Sequence, residues 1–410
     1  MTYPLLHGLR VLELGEFISA PYCGKLLADM GAQVMKIERP GAGDQAREYG
    51  PFLNGQPHPE RSGLFLYLNS NKKGVTLNLE TPTGKEILAD LIAQSDVFVH
   101  NLHPLVMDRL GMGWEDLRPH NQQMVMASIT PFGLTGPYRN WKAYDINLAA
   151  AGGICEGLGS EDREPLTFGT PAVGYFAGTA AASSIVIALL AQAGDAETSN
   201  DGRHGGQHID IAEVESMAGI YNGPEALMAV YQWRVTRRTG HHALDFPYPN
   251  CILRCKDGYI FVGAPEGRQW RGLLELMGDP QWAQEPRFRN RTVMNNDYAD
   301  EVDGYVEDWL LNYTKNELLE MALEHRLPLA PVRGFDEVRG DPSLASQFVT
   351  IERADTGPVA YPGAPFQLTG IAQGPTDPAP TIGQHNRDVY CGRLGYTPEE
   401  LVKLHQTGII

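Results

Sequence analysis

The first 200 residues alternate short apolar runs with longer amphipathic stretches, and this alternation constrains the fold more than any other feature. Residues 10–15 (RVLELG) and 33–38 (QVMKIE) have the composition of buried strands, and residues 19–32 between them have the spacing of a helix. The order repeats at Thr81, which would cap a helix that leads into a strand at residues 97–99. Strands that alternate with helices form parallel sheets, so the sequence predicts an α/β fold.

The length of the chain predicts two domains. A single hydrophobic core stops growing near ~250–300 residues, and this chain has 410. The composition changes near residue 225. Beyond it, residues 248–265 predict a hairpin that turns at residues 256–258, and helices fill residues 269–323. We therefore expect a second, smaller domain in this part of the chain. A helix with acidic residues in its first turn is predicted at residues 397–407.

Charge, apolar runs and cysteines each argue against a class of protein. The formal net charge of −17 argues against nucleic-acid binding, because phosphate contacts need a basic surface. No run of about 18 apolar residues is present, and residues 180–193 are interpreted as a buried helix too short to span a membrane. Residues 1–12 lack the basic and apolar segments of a signal peptide, and five scattered cysteines favour a reducing compartment. These features predict a cytoplasmic protein.

The sequence contains no convincing metal site and no common catalytic motif. Cys251 and Cys255 could share one face of a strand, but without a second pair of ligands they are better interpreted as two core thiols. His241 and His242 are adjacent and could touch a metal ion; a solvated pair is the better interpretation. GxGxxG, P-loop, HExxH and GxSxG motifs are missing, and residues 41–44 (GAGD) are more simply a turn than a phosphate site. The residues predict no metal and leave the reaction open.

Long strings of residues resemble those of class III (CaiB/BaiF-type) CoA-transferases, in the same order along the chain. Two of them are "LHGLRVLELGEFISAPYCGKLLADMGAQVMKIERPGAGDQAR" at residues 6–47 and "ITPFGLTGPYRNWKAYDINLAAAGG" at residues 129–153. The others lie at residues 68–86, 96–121, 206–215, 286–291, 326–333 and 383–401. Because the likeness covers nearly the whole chain, the chain is identified as a member of this family.

The resemblance implies both a fold and a reaction. Family members have a Rossmann-like large domain, formed by the two ends of the chain, and a small α+β domain formed by its middle part. Two chains interlock as rings into a dimer. The implied boundaries are 1–200 for the N-terminal part of the large domain, 201–224 for a linker, 225–325 for the small domain and 326–410 for a linker and the return to the large domain. The implied reaction exchanges coenzyme A between an acyl-CoA and a small carboxylic acid.

The position of the family's nucleophile is the main departure from the family pattern. In members of the family, an aspartate carboxylate attacks the acyl-CoA thioester and forms a mixed anhydride. That aspartate stands just before a helix, in a segment that reads "PLTFGTPAVGYFAG" here, and Gly174 occupies its position. Tyr175, Phe176 and Gly178 match the family beyond it. The resemblance therefore implies that this chain has no catalytic residue at the family position.

Other acidic residues are weaker substitutes for that aspartate. Asp145 matches a position that is structural in most members of the family. The loop that precedes Gly174 contains further carboxylates, which could reach the site only after rearrangement. They are Glu156, Glu161, Asp162 and Glu164. Racemases of the family resemble "GHDIN" where this chain has Tyr144 in place of the basic histidine. Racemisation is therefore not expected.

The binding site for coenzyme A is matched only in part. The residues that resemble CoA contacts of formyl-CoA-transferase-like members are Phe17, Arg39, Leu77, Asn101, Arg109 and Lys142. For Arg39 and Arg109, surface ion pairs are an alternative interpretation. Glu80 stands where such members have a lysine near the nucleotide phosphates, which reverses the sign of that interaction. His100 and His103 replace residues of the usual "ENFRPG" string. These changes predict weak binding of CoA or acyl-CoA.

Three functions are compatible with these residues. Separate losses at the nucleophile and at the phosphate contact favour a non-catalytic subunit that supports a paralogous subunit with its aspartate in place. An active homodimer that uses another residue is one alternative, and a CoA-ester-binding scaffold without an enzymatic partner is the other. The sequence does not identify the carboxylic acid.

Overall fold

The computed structural model divides into two compact units. The first unit contains Met1–Ile154, Thr167–Ala226 and Ser346–Ile410, and the second contains Cys155–Leu166 and Leu227–Ala345. The structure describes residues 5–195, 205–221, 223–232, 238–243, 246–353, 357–366, 368–369 and 376–410. The linker predicted at 201–224 lies partly outside these residues.

A six-stranded sheet forms the centre of the first unit, and each pair of neighbouring strands in it is parallel. Its strands are β1 (Arg10–Leu14), β2 (Gln33–Glu38), β3 (Lys72–Thr76), β4 (Val97–His100), β5 (Val125–Thr130) and β6 (His208–Ala212). They follow the order β3-β2-β1-β4-β5-β6, which is that of a doubly wound Rossmann sheet. The predicted α/β fold is confirmed. Because the order reverses between β1 and β4, the loops after these two strands flank a crevice.

Helices connect the strands and follow them. In chain order they are α1 (Ser19–Asp29), α2 (Gly63–Leu68), α3 (Pro82–Ala93), α4 (Pro104–Leu110), α5 (Trp114–Leu117), α6 (Asp145–Ala151), α7 (Val173–Asp195), α8 (Glu213–Tyr221), α9 (Gly223–Gln232), α10 (Gly267–Leu276), α11 (Arg291–Asp297), α12 (Ala299–Leu310), α13 (Lys315–His325), α14 (Phe335–Gly340), α15 (Asn386–Tyr390) and α16 (Pro398–Gln406). The helix predicted at 397–407 is α16, which Thr397 caps through the backbone N–H of Glu400.

Helix α3 shows how local sequence and packing position the crevice. The side chain of Thr81 accepts a hydrogen bond from the backbone N–H of Gly84, and a proline opens the helix. The buried side chains of α3 (Ile87, Leu88, Leu91 and Ile92) pack into the core with residues of β1 to β4. Full burial of one such side chain stabilises the fold by roughly 1.5–3 kcal/mol. This packing holds the crossover that leads into β4 and its loop.

Helix α7 corrects the expectation that the most apolar stretch is too short to span a membrane. The helix extends beyond the apolar stretch at residues 180–193 and begins at Val173, and 22 of its residues (Val173–Gly194) meet the length and composition of a membrane span. Its buried residues, Ala177, Ala181, Ala182, Ile185 and Ala188, pack into a core cluster with residues of α1, β1, β4 and β5. Because a core helix of a soluble protein meets the same criteria, α7 is weak evidence for a membrane span.

Buried charges hold the loops after β1 and β2 together. The Lys36 ammonium lies 3.0 Å from Oε1 of Glu13 and 2.7 Å from Oδ2 of Asp44, and all three side chains are inaccessible to solvent. Oδ1 of Asp44 in turn accepts a hydrogen bond from the backbone N–H of Phe17 at 2.9 Å. Removing one partner from a buried ion pair leaves an uncompensated charge, which costs about 3–5 kcal/mol. The loop after β1 therefore has a firmly held backbone.

The second unit contains an antiparallel sheet of strands β7 (Asn250–Cys255), β8 (Gly258–Gly263) and β9 (Leu329–Pro331). The predicted hairpin is confirmed, since Cys255 pairs with Gly258 across the turn between β7 and β8. Cys251 and Cys255 are free thiols in a hydrophobic core with Val302 and Val306 of α12. In the first unit, a separate two-stranded ribbon pairs β10 (Phe348–Arg353) with β11 (Gly357–Pro362).

Candidate functional site

Two adjoining clefts lie at the carboxyl end of the parallel sheet. The first cleft, of about 330 Å³, is lined by residues from the ends of β1, β2, β3 and α4, among them Arg39, Leu77, Glu80 and Arg109. The second cleft, of about 430 Å³, is lined by Phe17, Asn101, Lys142, Asp145, Gly174 and Glu213 among others. Glu16 and Gln45 line both clefts. The six predicted CoA-contact residues thus lie around two neighbouring clefts.

Each of the two arginines in the first cleft is paired with a carboxylate. Nη1 and Nη2 of Arg109 donate hydrogen bonds to the two carboxylate oxygens of Glu80, at 2.6 and 2.8 Å. Nη2 of Arg39 lies 2.9 Å from Oε1 of Glu16. The hydrogen bonds from Arg109 lower the pKa of Glu80, so that carboxylate is charged at neutral pH. The positive charges expected to meet phosphates are therefore compensated within the chain.

The interior of the first cleft is apolar. Its apolar lining consists of Leu14, Ile37, Leu77, Leu79, Leu102, Val106 and Leu110. Leu77 is almost fully buried, because it packs in the core below the cleft. Such an apolar surface accommodates a flat or aliphatic group beside the charged residues of the cleft.

Asn101 connects the loops after β1 and β4. Its Oδ1 accepts a hydrogen bond from the backbone N–H of Glu16 at 2.9 Å. Its Nδ2 donates to the backbone oxygen of Glu16 at 2.7 Å and to Oγ of Ser19 at 3.0 Å. Phe17, next in this loop, has a left-handed backbone (φ 65°) and packs edge-on against Tyr49. The side chain of Asn101 therefore positions the loop that separates the two clefts.

Gly174 lies in the first turn of α7, at the second cleft. Oδ1 of Asp145 accepts a hydrogen bond from the backbone N–H of Val173 at 2.8 Å and lies 3.4 Å from the backbone nitrogen of Gly174. Burial raises the pKa of Asp145, although the backbone N–H groups of residues 172–174 oppose this shift. In this geometry Asp145 caps the start of α7.

The space that a side chain at position 174 would need is occupied by Ile18. A Cβ atom added to Gly174 would lie 2.9 Å from Cγ2 of Ile18 and 3.1 Å from its Cβ. Ile18 is buried, with 2% of its surface exposed, and lines the second cleft together with Gly174. A larger residue at position 174 therefore requires movement of the loop after β1.

Glu213 is a carboxylate of the second cleft that sequence reasoning missed. It is the first residue of α8, directly after β6, and lines the second cleft together with Gly174. Burial raises the pKa of Glu213; a hydrogen bond with Ser19 opposes this shift, and the charge of Asp145 adds to it. The signal that could have found it is its place at the carboxyl end of a parallel strand, where polar residues converge.

The remaining predicted residues have distinct surroundings. Lys142 and Tyr144 line the second cleft, and Lys142 forms no ion pair among the residues that the structure describes. Glu156 pairs with Arg238 at 2.9 Å within the second unit.

His100 is buried beneath the site rather than exposed in it. Its Nε2 lies 2.7 Å from Oγ of Ser128, which in turn lies 2.8 Å from Nε2 of His208. Burial and, to a lesser extent, the neighbouring His208 lower the pKa of His100 to about 3. His100 is therefore neutral at physiological pH and contributes no positive charge near the clefts.

Comparisons with known proteins extend the geometric description. The sequence profile of "CoA-transferase family III" matches residues 6–386. The chain is 32% identical to a succinyl-CoA–D-citramalate CoA-transferase of Chloroflexus aurantiacus, over 99% of this chain and 98% of the relative. It is 32% identical to a formyl-CoA:oxalate CoA-transferase of Streptomyces avermitilis, over 99% of each chain. It is 30% identical to a succinyl-CoA–L-malate CoA-transferase beta subunit of Chloroflexus aurantiacus, over 100% of this chain and 98% of the relative.

A solved structure agrees with these matches. A CaiB/BaiF family protein from Brucella suis superposes with a TM-score of 0.84 and 26% identity, over 95% of this chain and 100% of the other. The profile, the relatives and the fold all cover nearly the full length of the chain. The chain therefore belongs to family III of the CoA-transferases, the CaiB/BaiF family.

Proposed function

We propose that this chain is a non-catalytic subunit of a family III CoA-transferase, which supports a paralogous subunit that carries the aspartate nucleophile. The observation that carries the proposal is Gly174, because a glycine offers no carboxylate to accept the acyl group. The complex would exchange coenzyme A between an acyl-CoA and a small carboxylic acid, in the cytoplasm.

The packing around Gly174 supports a lasting loss of the nucleophile. Ile18 fills the space in which a side chain at position 174 would begin. A chain that needed an aspartate there would have to keep that space open. The replacement is therefore accommodated by its neighbours, as expected for a position that is no longer used in catalysis.

The ion pairs of the first cleft support weak CoA binding by this subunit. A phosphate that approaches Arg109 has to compete with the two hydrogen bonds from Glu80, and it meets the negative charge of that carboxylate. Arg39 is compensated by Glu16 in the same way. Lys142 remains as a cation of the second cleft without an ion pair in the described residues. CoA therefore gains less from this site than from one with unpaired cations.

The partner is proposed from the family and from one relative. A similar protein is named as the beta subunit of a succinyl-CoA–L-malate CoA-transferase, and this name denotes a complex of different subunits. Succinyl-CoA:benzylsuccinate CoA-transferase, from the anaerobic degradation of toluene, has two related subunits, and we propose a role of this kind in aromatic degradation. An interlocked dimer with the paralogue would bring the partner's aspartate and the second cleft into one assembly.

The experiment uses the chain alone and the chain co-expressed with an aspartate-bearing family III paralogue from the same genome. Each preparation is incubated with succinyl-CoA, and acyl-enzyme is trapped with hydroxylamine and located by mass spectrometry. We expect an adduct on the paralogue's aspartate and none on this chain. Replacing the paralogue's aspartate with alanine should abolish CoA exchange. An adduct on any carboxylate of this chain would contradict the proposal.

A second candidate function, an active CoA-transferase that uses another residue, is favoured by Glu213. This carboxylate and Gly174 both line the second cleft. Glu213 lies at the start of α8, directly after β6, whereas Gly174 lies in α7. It could attack the thioester carbonyl and release CoA as the thiolate, forming the mixed anhydride on its own side chain. Its raised pKa opposes this role, because only the ionised form is nucleophilic. An adduct that forms on the chain alone and disappears in Glu213→Gln would establish this function.

A further inference from the structure

Two histidines and an aspartate of the second unit converge on one point. Nε2 of His241 and Nε2 of His242 lie 2.9 and 2.7 Å from the same oxygen, Oδ2 of Asp303. One donor atom from each residue lies within 4.8 Å of the other two. The interpretation as a solvated pair was therefore wrong for His242, whose side chain is 7% exposed, although His241 is 49% exposed. Both side chains have the same partner, 62 and 61 residues away along the chain.

The three residues come from two elements that the core already holds together. His242 forms an isolated β-bridge with Cys251 of β7, and Asp303 lies in α12. The hydroxyl of Tyr248 donates a hydrogen bond to Oδ1 of Asp303 at 2.9 Å. This hydrogen bond fixes the carboxylate with its second oxygen directed at the imidazoles. Such outer partners orient the ligands in metal sites.

We propose that His241, His242 and Asp303 form a binding site for a divalent transition-metal ion, with Zn²⁺ as the best-suited ion. Imidazole nitrogen and carboxylate oxygen together favour Zn²⁺, Ni²⁺ or Cu²⁺ over Mg²⁺ and Ca²⁺, which prefer oxygen ligands alone. Two histidines and one carboxylate are also a known set of three zinc ligands that leaves a fourth position for water. This set of ligands could not be recognised from the sequence, because Asp303 is 61 residues from His242 along the chain.

The separations between the donor atoms are compatible with an ion after a small adjustment. Ligands at about 2.0–2.1 Å in a tetrahedral site lie roughly 3.3 Å from one another. The observed separations of 2.7 and 2.9 Å therefore have to widen by about half an ångström. The donor atoms of the two imidazoles, which lie within 4.8 Å of each other, have to settle at the same distance of about 3.3 Å. His241 can move in this way, because 49% of its side chain is exposed; His242, which is 7% exposed, has to reach its separation by a small rotation of its ring. The exposed side also gives an ion and its water ligand access.

The charge around the site favours a cation. With neutral imidazoles the three ligands carry the single negative charge of Asp303. Glu307, one turn later in α12, is paired with Arg254 at 2.8 Å, so the uncompensated negative charge of the site is that of Asp303. An ion at this position would join the segment before β7 to α12 and so stabilise the second unit.

The test measures binding of zinc to the full-length chain in whatever assembly it adopts. After treatment with a chelator and dialysis, the protein is titrated with ZnCl₂ by calorimetry, and Co²⁺ is added separately to follow its visible absorption. We expect one ion per chain, a Co²⁺ spectrum of a four-coordinate nitrogen- and oxygen-ligated site, and a higher melting temperature with Zn²⁺. A ligand that binds only the folded state stabilises it in this way.

Variants separate this site from adventitious binding. His241→Gln, at an exposed position, and Asp303→Asn should each weaken Zn²⁺ binding by at least about tenfold. His120→Gln, which alters an exposed histidine of the first unit, should leave it unchanged. Unchanged affinity in both His241→Gln and Asp303→Asn, or the lack of saturable binding in the unaltered chain, would overturn the proposal. The readouts do not involve CoA transfer, so this proposal and the proposed function stand or fall separately.

Discussion

The guanidinium of Arg109 forms a two-point ion pair with Glu80 at the edge of the first cleft, with hydrogen bonds of 2.6 and 2.8 Å. Both side chains are more than half exposed, so solvent screens the attraction between them. The pair therefore contributes little to stability, and its main effect is to compete with a phosphate for Arg109. As long as it is formed, two of the five N–H donors of Arg109 are engaged and its charge is compensated, so a phosphate has to compete with Glu80.

The first prediction follows from this pair. Glu80→Lys should increase the affinity of the chain for CoA by up to about tenfold, because it frees Arg109 and adds a cation. Calorimetry with CoA measures the change, and higher salt should reduce it. The matched control is Glu301→Gln, which breaks the exposed two-point pair with Arg287 in the second unit and should leave CoA affinity unchanged. An equal affinity for CoA in Glu80→Lys and in the unaltered chain would refute this account of the cleft.

The second prediction concerns Lys142. It lines the second cleft and forms no ion pair in the described part of the chain, so it should contribute to whatever CoA binding remains. Lys142→Gln should weaken that binding by roughly threefold to tenfold. Lys403→Gln, at an exposed position of α16, is the control and should have no effect. If both variants bind CoA equally well, the residual affinity does not depend on Lys142.

The fold could be predicted from sequence because its signals are local. Alternating apolar and amphipathic segments produce the parallel sheet, and Thr81 and Thr397 cap helices close to where their sequence patterns place them. The hydrogen bonds and ion pairs between the side chains of the site could not be predicted in the same way. Glu80 and Arg109 are 29 residues apart, and Asn101 reaches back 85 residues to Glu16.

Tertiary packing decides which of these residues are available for function. Sequence comparison can align Arg109 with a phosphate contact, but only the fold shows that Glu80 already engages two of its hydrogen-bond donors. Similarly, Gly174 is recognisable from its neighbours in sequence, whereas the side chain of Ile18 that closes its surroundings belongs to another loop. Glu213 was missed for the same reason, since β6 brings it to the cleft from a distant segment.

The third prediction compares two glycines in helices. Gly174→Ala forces a methyl group against Ile18, and such overpacking costs about 1–3 kcal/mol, which outweighs the gain of up to about 1 kcal/mol from helix propensity. Gly304→Ala in α12 meets no atom within 4 Å and should stabilise the protein by up to about 1 kcal/mol. Urea unfolding measures both changes. Ile18→Ala, which removes the Cγ2 atom nearest to the added methyl group, should reduce the cost of Gly174→Ala in a double-mutant cycle, and a stabilising Gly174→Ala would show that the space is not closed.

The fourth prediction is a dependence of stability on acid pH. Burial lowers the pKa of His100 from 6.5 to about 3, so the unfolded chain binds a proton at this residue between these pH values and the folded chain does not. The contribution of neutral His100 to stability is therefore complete above pH 6.5 and decreases as the pH falls towards 3. The slope is at most about 1.4 kcal/mol per pH unit.

The variant His100→Gln tests this dependence. Its amide can keep a hydrogen bond with Ser128 but does not titrate, so its stability should fall less steeply than that of the unaltered chain between pH 6.5 and 4.5. Over these two pH units, the difference in the free energy of unfolding should change by roughly 2 kcal/mol, as measured by urea unfolding at each pH. His120→Gln, at an exposed position, should follow the unaltered chain. Parallel pH profiles for His100→Gln and the unaltered chain would mean that the proton taken up on unfolding binds elsewhere.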